Sequence, residues 1–144
     1  MFIRFNAIFL FVIVSFFSTS FAQEALYIWG GKNNKTYLGC LNSNKYDSSS
    51  IWNKYGNFGS KYNQLSIWNK YGDYGSKYSD YSPWNKYSSK PPAVVDSNGN
   101  FYGYLTINKY QNKRAEFLLA LTLYEYHELI RENLDEWYKH IFER

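Results

Sequence analysis

A heptapeptide that returns every 16 residues constrains this chain more than any other feature. Ser50-Ile51-Trp52-Asn53-Lys54-Tyr55-Gly56 recurs as Ser66-Ile67-Trp68-Asn69-Lys70-Tyr71-Gly72, and a third copy runs Ser82-Pro83-Trp84-Asn85-Lys86-Tyr87-Ser88. A finer rhythm lies within it. Lys-Tyr stands at 45–46, 54–55, 61–62, 70–71, 77–78 and 86–87, with steps of 9, 7, 9, 7 and 9, so each unit has two unequal halves. Sixteen residues are too few for the helix pairs of common solenoids. Gly56, Gly59, Gly72 and Gly75 also interrupt any helix. Two local readings stand. Ser66 can cap a single helical turn ended by Gly72, or each half can be a short strand and turn. Both put Trp and Ile inside and Lys at the rim. The expectation is a turn-rich aromatic repeat array over 42–90.

The flanks predict conventional elements. Residues 23–41 read as a hairpin around Gly30-Gly31-Lys32-Asn33-Asn34. Residues 93–110 read as a second hairpin around Asp96-Ser97-Asn98-Gly99-Asn100, where Asn-Gly is a strong turn signal. From 113 to 144 the pattern turns helical. Leu119, Leu123, Tyr126, Ile130, Leu134, Trp137 and Ile141 form one apolar stripe, with a break expected near Asn133 and Asp135 and Glu136 in a new first turn. The fold class expected is α+β. A length of 144 residues suits one domain, here 23–144.

Residues 1–22 read as a signal peptide. Arg4 precedes the apolar run Ala7–Phe17, and Ser20 and Ala22 occupy the small-residue places of a cleavage box. The run is shorter than the ~20 apolar residues of a spanning helix. A secreted or periplasmic protein is therefore expected, cleaved near Ala22, with no transmembrane segment in the mature chain. One Cys, Cys40, excludes an internal disulfide framework, and its expected role is that of a small buried apolar side chain.

Charge is unevenly divided. Lys32–Arg114 holds 12 basic and 4 acidic residues, whereas Ala115–Arg144 holds 3 basic and 7 acidic. Either the acidic helix docks on the basic repeats or the repeats face an external polyanion.

The Ser-Ile-Trp-Asn-Lys-Tyr-Gly copies, the Tyr-Gly-Ser-Lys-Tyr-Ser link, Leu38-Gly39-Cys40-Leu41 and Asp96-Ser97-Asn98-Gly99-Asn100-Phe101-Tyr102-Gly103-Tyr104-Leu105-Thr106 carry a resemblance. The region from Tyr37 to Tyr110 resembles a family of small exported bacterial proteins of unknown function. The resemblance implies bacterial origin and one domain, and supplies no catalytic residues. In that family the residue after the Asn is often Pro or Glu, so the resemblance assigns no function to Lys54, Lys70 or Lys86.

Catalytic constellations are scarce. His127-Glu128-Leu129-Ile130-Arg131 opens like a metalloprotease helix, but Arg131 stands where the second His is needed. The two histidines then read as ordinary surface or interface residues. With one Cys, a structural zinc site is not expected either. The serines lie in the repeats, where turn and cap duty accounts for them. Asp73 aligns with Asn57 and Asp80 with Gln64, which is surface variation and not a catalytic pair. No cofactor is implied, and the chain reads as no enzyme.

What remains is a surface of aromatics, amides and lysines. Tyr55, Tyr71, Tyr74 and Tyr87 are candidates to stack on sugar rings, and Asn53, Asn69 and Asn85 to bond hydroxyls. Trp52, Trp68 and Trp84 are assigned to the core, since a small repeat has little else to bury. The function expected is non-catalytic binding or structural work in the bacterial cell envelope, with a glycan or other polyanion as partner. Single-stranded nucleic acid suits the same residues, but export disfavours it. The alternatives are a self-associating surface or matrix protein and, third, a cryptic hydrolase.

Overall fold

A computed structural model describes residues 23–143. The signal peptide expected at 1–22 lies outside the described residues. The architecture is α+β: a four-stranded antiparallel sheet, a long turn-built excursion and two C-terminal helices.

Strands β1 (Leu26–Gly30) and β2 (Thr36–Cys40) form the first hairpin. Its connection needs left-handed backbone at Gly31 (φ 73°), Asn33 (φ 58°) and Asn34 (φ 53°), a conformation that Gly and Asn adopt at least cost. Strands β3 (Ala93–Asp96) and β4 (Phe101–Tyr104) form the second. The Asp96 carboxylate holds its turn by accepting from Asn98 N, Asn100 N and Asn100 Nδ2, each at 2.9 Å. The hairpins are not separate units. Leu26 pairs with Asp96 and Trp29 with Ala93, so β1 and β3 join them into one sheet of order β2-β1-β3-β4.

Residues 41–92 leave the sheet at β2 and return at β3 as a succession of turns. Backbone N–H groups of Asn53, Gly56, Asn63, Ser66, Asn69 and Gly72 donate to carbonyls three residues earlier. Ser and Asn side chains close the same turns from within: Ser66 Oγ accepts from Trp68 N and Asn69 Oδ1 from Tyr71 N. These Asx- and Ser-type turns let a chain without a continuous ladder satisfy its backbone. The first of them docks on β2, with Ile51 N donating to Cys40 O. Cys40 itself is buried and free.

Between the turns, Ile51, Trp52, Ile67, Trp68 and Trp84 point inward and meet Ile28, Leu38 and Val94 of the sheet, all at most 1% exposed. Each indole reaches one unit back. Trp52 Nε1 donates to Leu41 O (2.8 Å), Trp68 Nε1 to Ile51 O (2.7 Å) and Trp84 Nε1 to Ile67 O (2.6 Å). The core assignment of the tryptophans therefore includes a hydrogen bond that the burial of an indole requires.

The helices are α1 (Leu118–Glu132) and α2 (Leu134–Phe142), parted at Asn133 (φ −146°, ψ 72°), whose side chain accepts from Glu136 N. Asp135 and Glu136 occupy the first turn of α2. Helix does not begin at 113. Lys113 has φ 58°, and residues 113–115 lie against β4 instead, with Tyr104 N donating to Lys113 O and Ala115 N to Tyr104 O. The buried stripe also differs from the expected one. Ala120, Leu123, Ile130, Leu134 and Tyr138 are buried, while Tyr126 is turned outward onto Trp137 with ring centroids 4.9 Å apart. Among the described residues no helix is long and apolar enough to cross a membrane.

Candidate functional site

The turn geometry decides which side chains face solvent. In each Asn-Lys-Tyr or Ser-Lys-Tyr step the polar side chain captures the Tyr N–H, so Lys and Tyr form the outer corner of the turn. The result is a strip of exposed rings: Tyr46, Tyr55, Tyr62, Tyr71, Tyr78 and Tyr87 are 77–87% exposed. The ammonium of the preceding lysine stands 5.2–5.7 Å from each ring centroid, inside cation–π range. Residues 108–110 add a seventh corner. Asn108 Oδ1 accepts from Tyr110 N, Asn108 Nδ2 donates to Ser88 O, and Tyr110 is 96% exposed. It escaped the sequence reading because it stands outside the 16-residue spacing, although Asn108-Lys109-Tyr110 repeats the tripeptide.

The acidic helices lie along this strip and divide its charge. Asp135 faces Lys54 at 2.7 Å and Lys45 at 4.0 Å, and Glu132 faces Lys61 at 3.9 Å. The bond to Asp135 holds the Lys54 ammonium above its ordinary pKa. Lys70, Lys77 and Lys86 have no carboxylate within ion-pair distance among the described residues. Helix docking and an outward basic face are thus both present, at opposite ends of the strip.

Clefts open between the Lys-Tyr corners and the helices. One of about 520 Å³ lies between Tyr55 and Tyr62 and is bordered by Arg131 and Glu132. A larger one of about 590 Å³ lies between Lys77-Tyr78 and Lys86-Tyr87, with Trp84, Ile107, His127 and Glu128 as its other walls. His127 stacks on Trp84 and continues a column of rings in which Trp68 and Trp84 lie 5.6 Å apart at 16°. Its Nδ1 lies 3.1 Å from Tyr124 O, and a carbonyl only accepts, so Nδ1 carries the proton and Nε2 keeps its lone pair. Burial holds the imidazole below its ordinary pKa, in the neutral form.

The expected site residues separate. Tyr55, Tyr71 and Tyr87 are on the exposed strip. Tyr74 is not: it is half-buried and packs against the core, and its counterpart Phe58 is also half-buried and meets Tyr37 edge-on at 5.0 Å. Asn53, Asn69 and Asn85 spend both ends of their amides on the fold. Each Oδ1 accepts from the Tyr two residues on, and each Nδ2 donates to a carbonyl six residues back. His127, Lys77, Lys86 and Glu128 were not singled out as a site by sequence. Helical spacing did carry a signal for His127, which falls between Leu123 and Ile130 on the buried face.

The chain matches no family model, no curated protein and no solved structure. Function must therefore be argued from these residues alone. Among the described residues no group of three or more His, Cys, Asp or Glu side chains is placed to hold a metal ion.

Proposed function

We propose that this is a non-catalytic, exported binding protein of the bacterial cell envelope, and that residues 42–90 are a repeat array whose purpose is to display the Lys-Tyr strip to an anionic glycan. One observation carries the reading: six tyrosine rings at least 77% exposed, each beside a lysine, with the lysines of the later half free of carboxylate partners among the described residues. Exposed aromatic faces rimmed by polar groups suit sugar rings, and regularly spaced cations suit a polymer of repeating charge. Export rests on the apolar run before Ala22 and the small residues Ser20 and Ala22 that follow it.

The test is binding of the secreted protein to a panel of polysaccharides, followed by tryptophan emission. Saturable binding to alginate or dextran sulfate, weakened by salt and absent for neutral dextran, is expected. Equal affinity for neutral dextran would overturn the role of charge. The same exposed rings favour one other reading, stacking between copies of the chain. Sedimentation that shifts with protein concentration and not with added polysaccharide would select it.

A further inference from the structure

We propose that the cleft between Lys77-Tyr78 and Lys86-Tyr87 is a defined seat for one or a few anionic sugar rings, and not merely a stretch of the strip; the inference rests on the glycan reading above and adds a bounded site to it.

Three observations converge. The first is size. At about 590 Å³ the cleft falls within the ~300–1,000 Å³ of small-ligand sites, as does the somewhat smaller cleft of about 520 Å³ beside Glu132, so it has room for a sugar and charge decides between the two. The second is charge. Lys77 and Lys86 border the cleft, and neither has a carboxylate partner among the described residues, while Lys45, Lys54 and Lys61 are already faced by Asp135 and Glu132. An acidic group entering here gains two ammonium ions without displacing an internal partner, provided it seats on the lysine side, away from the Asp80 and Glu128 carboxylates that also line the cleft. The third is directional polarity. Asp80, which also borders the cleft, has its two oxygens engaged by Ser89 N and Ser89 Oγ at 3.2 Å. Glu128 has no ion pair among the described residues and is the less engaged carboxylate acceptor for sugar hydroxyls, with the neutral His127 ring beside it in the wall of the cleft. Tyr78 and Tyr87 supply apolar faces on either side. Cations for one acid group, acceptors for hydroxyls and rings for the C–H faces make the inventory of an acidic sugar.

The experiment titrates the secreted protein with an alginate trisaccharide, a sulfated heparin disaccharide and maltotriose, reading tryptophan emission, with polymeric alginate in parallel. Binding of the alginate trisaccharide, of the heparin disaccharide, or of both, but not of maltotriose, is expected, and the pair distinguishes carboxylate from sulfate. Lys77→Gln and Lys86→Gln each weaken that binding roughly tenfold, the worth of one charge-assisted hydrogen bond. Lys35→Gln, an exposed lysine of the β1–β2 connection outside the strip, leaves it within about twofold. If polymeric alginate binds but neither short sugar does, or if Lys77→Gln and Lys86→Gln bind as the parent does, the seat is refuted and the strip reading survives. Maltotriose binding as well as the acidic sugars refutes the anionic character of the seat. If nothing binds, polymer included, both readings fall.

Discussion

The His127 imidazole lies flat on the Trp84 indole, ring centroids 4.5 Å apart and planes 3° from parallel. The contact ties α1 to the last tryptophan of the repeats, and it ties stability to pH. Burial is the main cause that holds His127 below its ordinary 6.5; Arg131 adds to it, and Glu128 and the Tyr124 carbonyl oppose it. The unfolded chain then binds a proton that the folded chain refuses. Stability is fully present above about pH 6.5 and falls as pH drops toward the folded value, by at most about 1.4 kcal/mol per pH unit for one group. Melting temperature against pH should bend in that window, and His127→Phe, which keeps a ring there, should straighten it. Parallel profiles for the two proteins would refute the assignment.

A second acid transition belongs to Asp96. Its carboxylate is held below its ordinary 3.8, first by the Asn100 side chain and also by Tyr102 Oη, which donates at 3.0 Å. This group contributes above about pH 3.8, and the contribution disappears as pH falls through the folded value. Asp96→Asn should remove the lower bend and leave the His127 bend in place. Calorimetry across both windows separates them.

Trp68 is 1% exposed, and its N–H is committed to Ile51 O. Trp68→Ala should cost about 3–5 kcal/mol, the range for emptying a large aromatic site. Trp68→Phe should still cost about 1–3 kcal/mol, because a buried carbonyl loses its donor. Denaturant midpoints that rank the Phe variant level with the parent would show the indole bond to be dispensable.

Tyr71 and Tyr74 should now behave oppositely. Tyr71 is 86% exposed, so Tyr71→Ala should shift stability by no more than about 0.5 kcal/mol while weakening polysaccharide binding. Tyr74→Ala should cost stability, since its ring packs against the core, and leave binding unchanged. Parallel urea melts and binding isotherms decide between them.

Gly75 tests how tightly the turns close. A Cβ there would lie 2.2 Å from the Asn69 carbonyl oxygen, which is backbone and cannot swing away. Gly75→Ala should therefore cost more than about 3 kcal/mol, beyond ordinary overpacking. Gly99→Ala meets nothing within 4 Å and should cost only about 1 kcal/mol for its φ of 81°. Equal thermal shifts would contradict the close approach.

Both hairpin turns and the break at Asn133 were legible because short-range chemistry decides them: Gly and Asn at left-handed positions, an Asn cap with acids behind it. The inward Trp and outward Lys followed from the repeat itself. The β1–β3 pairing was not legible, since it joins segments more than sixty residues apart and no local pattern encodes which strand meets which. The fate of the Asn side chains was hidden for another reason. An amide that closes a turn and one that binds a ligand look alike in sequence, and only the fold shows both ends of Asn69 engaged. Tyr74 was misplaced because aromatic identity at a repeat position says nothing about which side of the turn it occupies.

The column of rings has a stop at each end, and both stops belong to the helices. Tyr138 and Phe142 meet Trp52 at 6.0 and 5.5 Å, and His127 meets Trp84. The indole bonds each reach one unit back, a pattern that by itself sets no number of units. Here the helical pair acts as a gauge: a fourth unit would strand one indole beyond His127, and a missing unit would leave His127 facing no ring. The distance between these two helical contacts is thus spanned by three indoles, Trp52, Trp68 and Trp84.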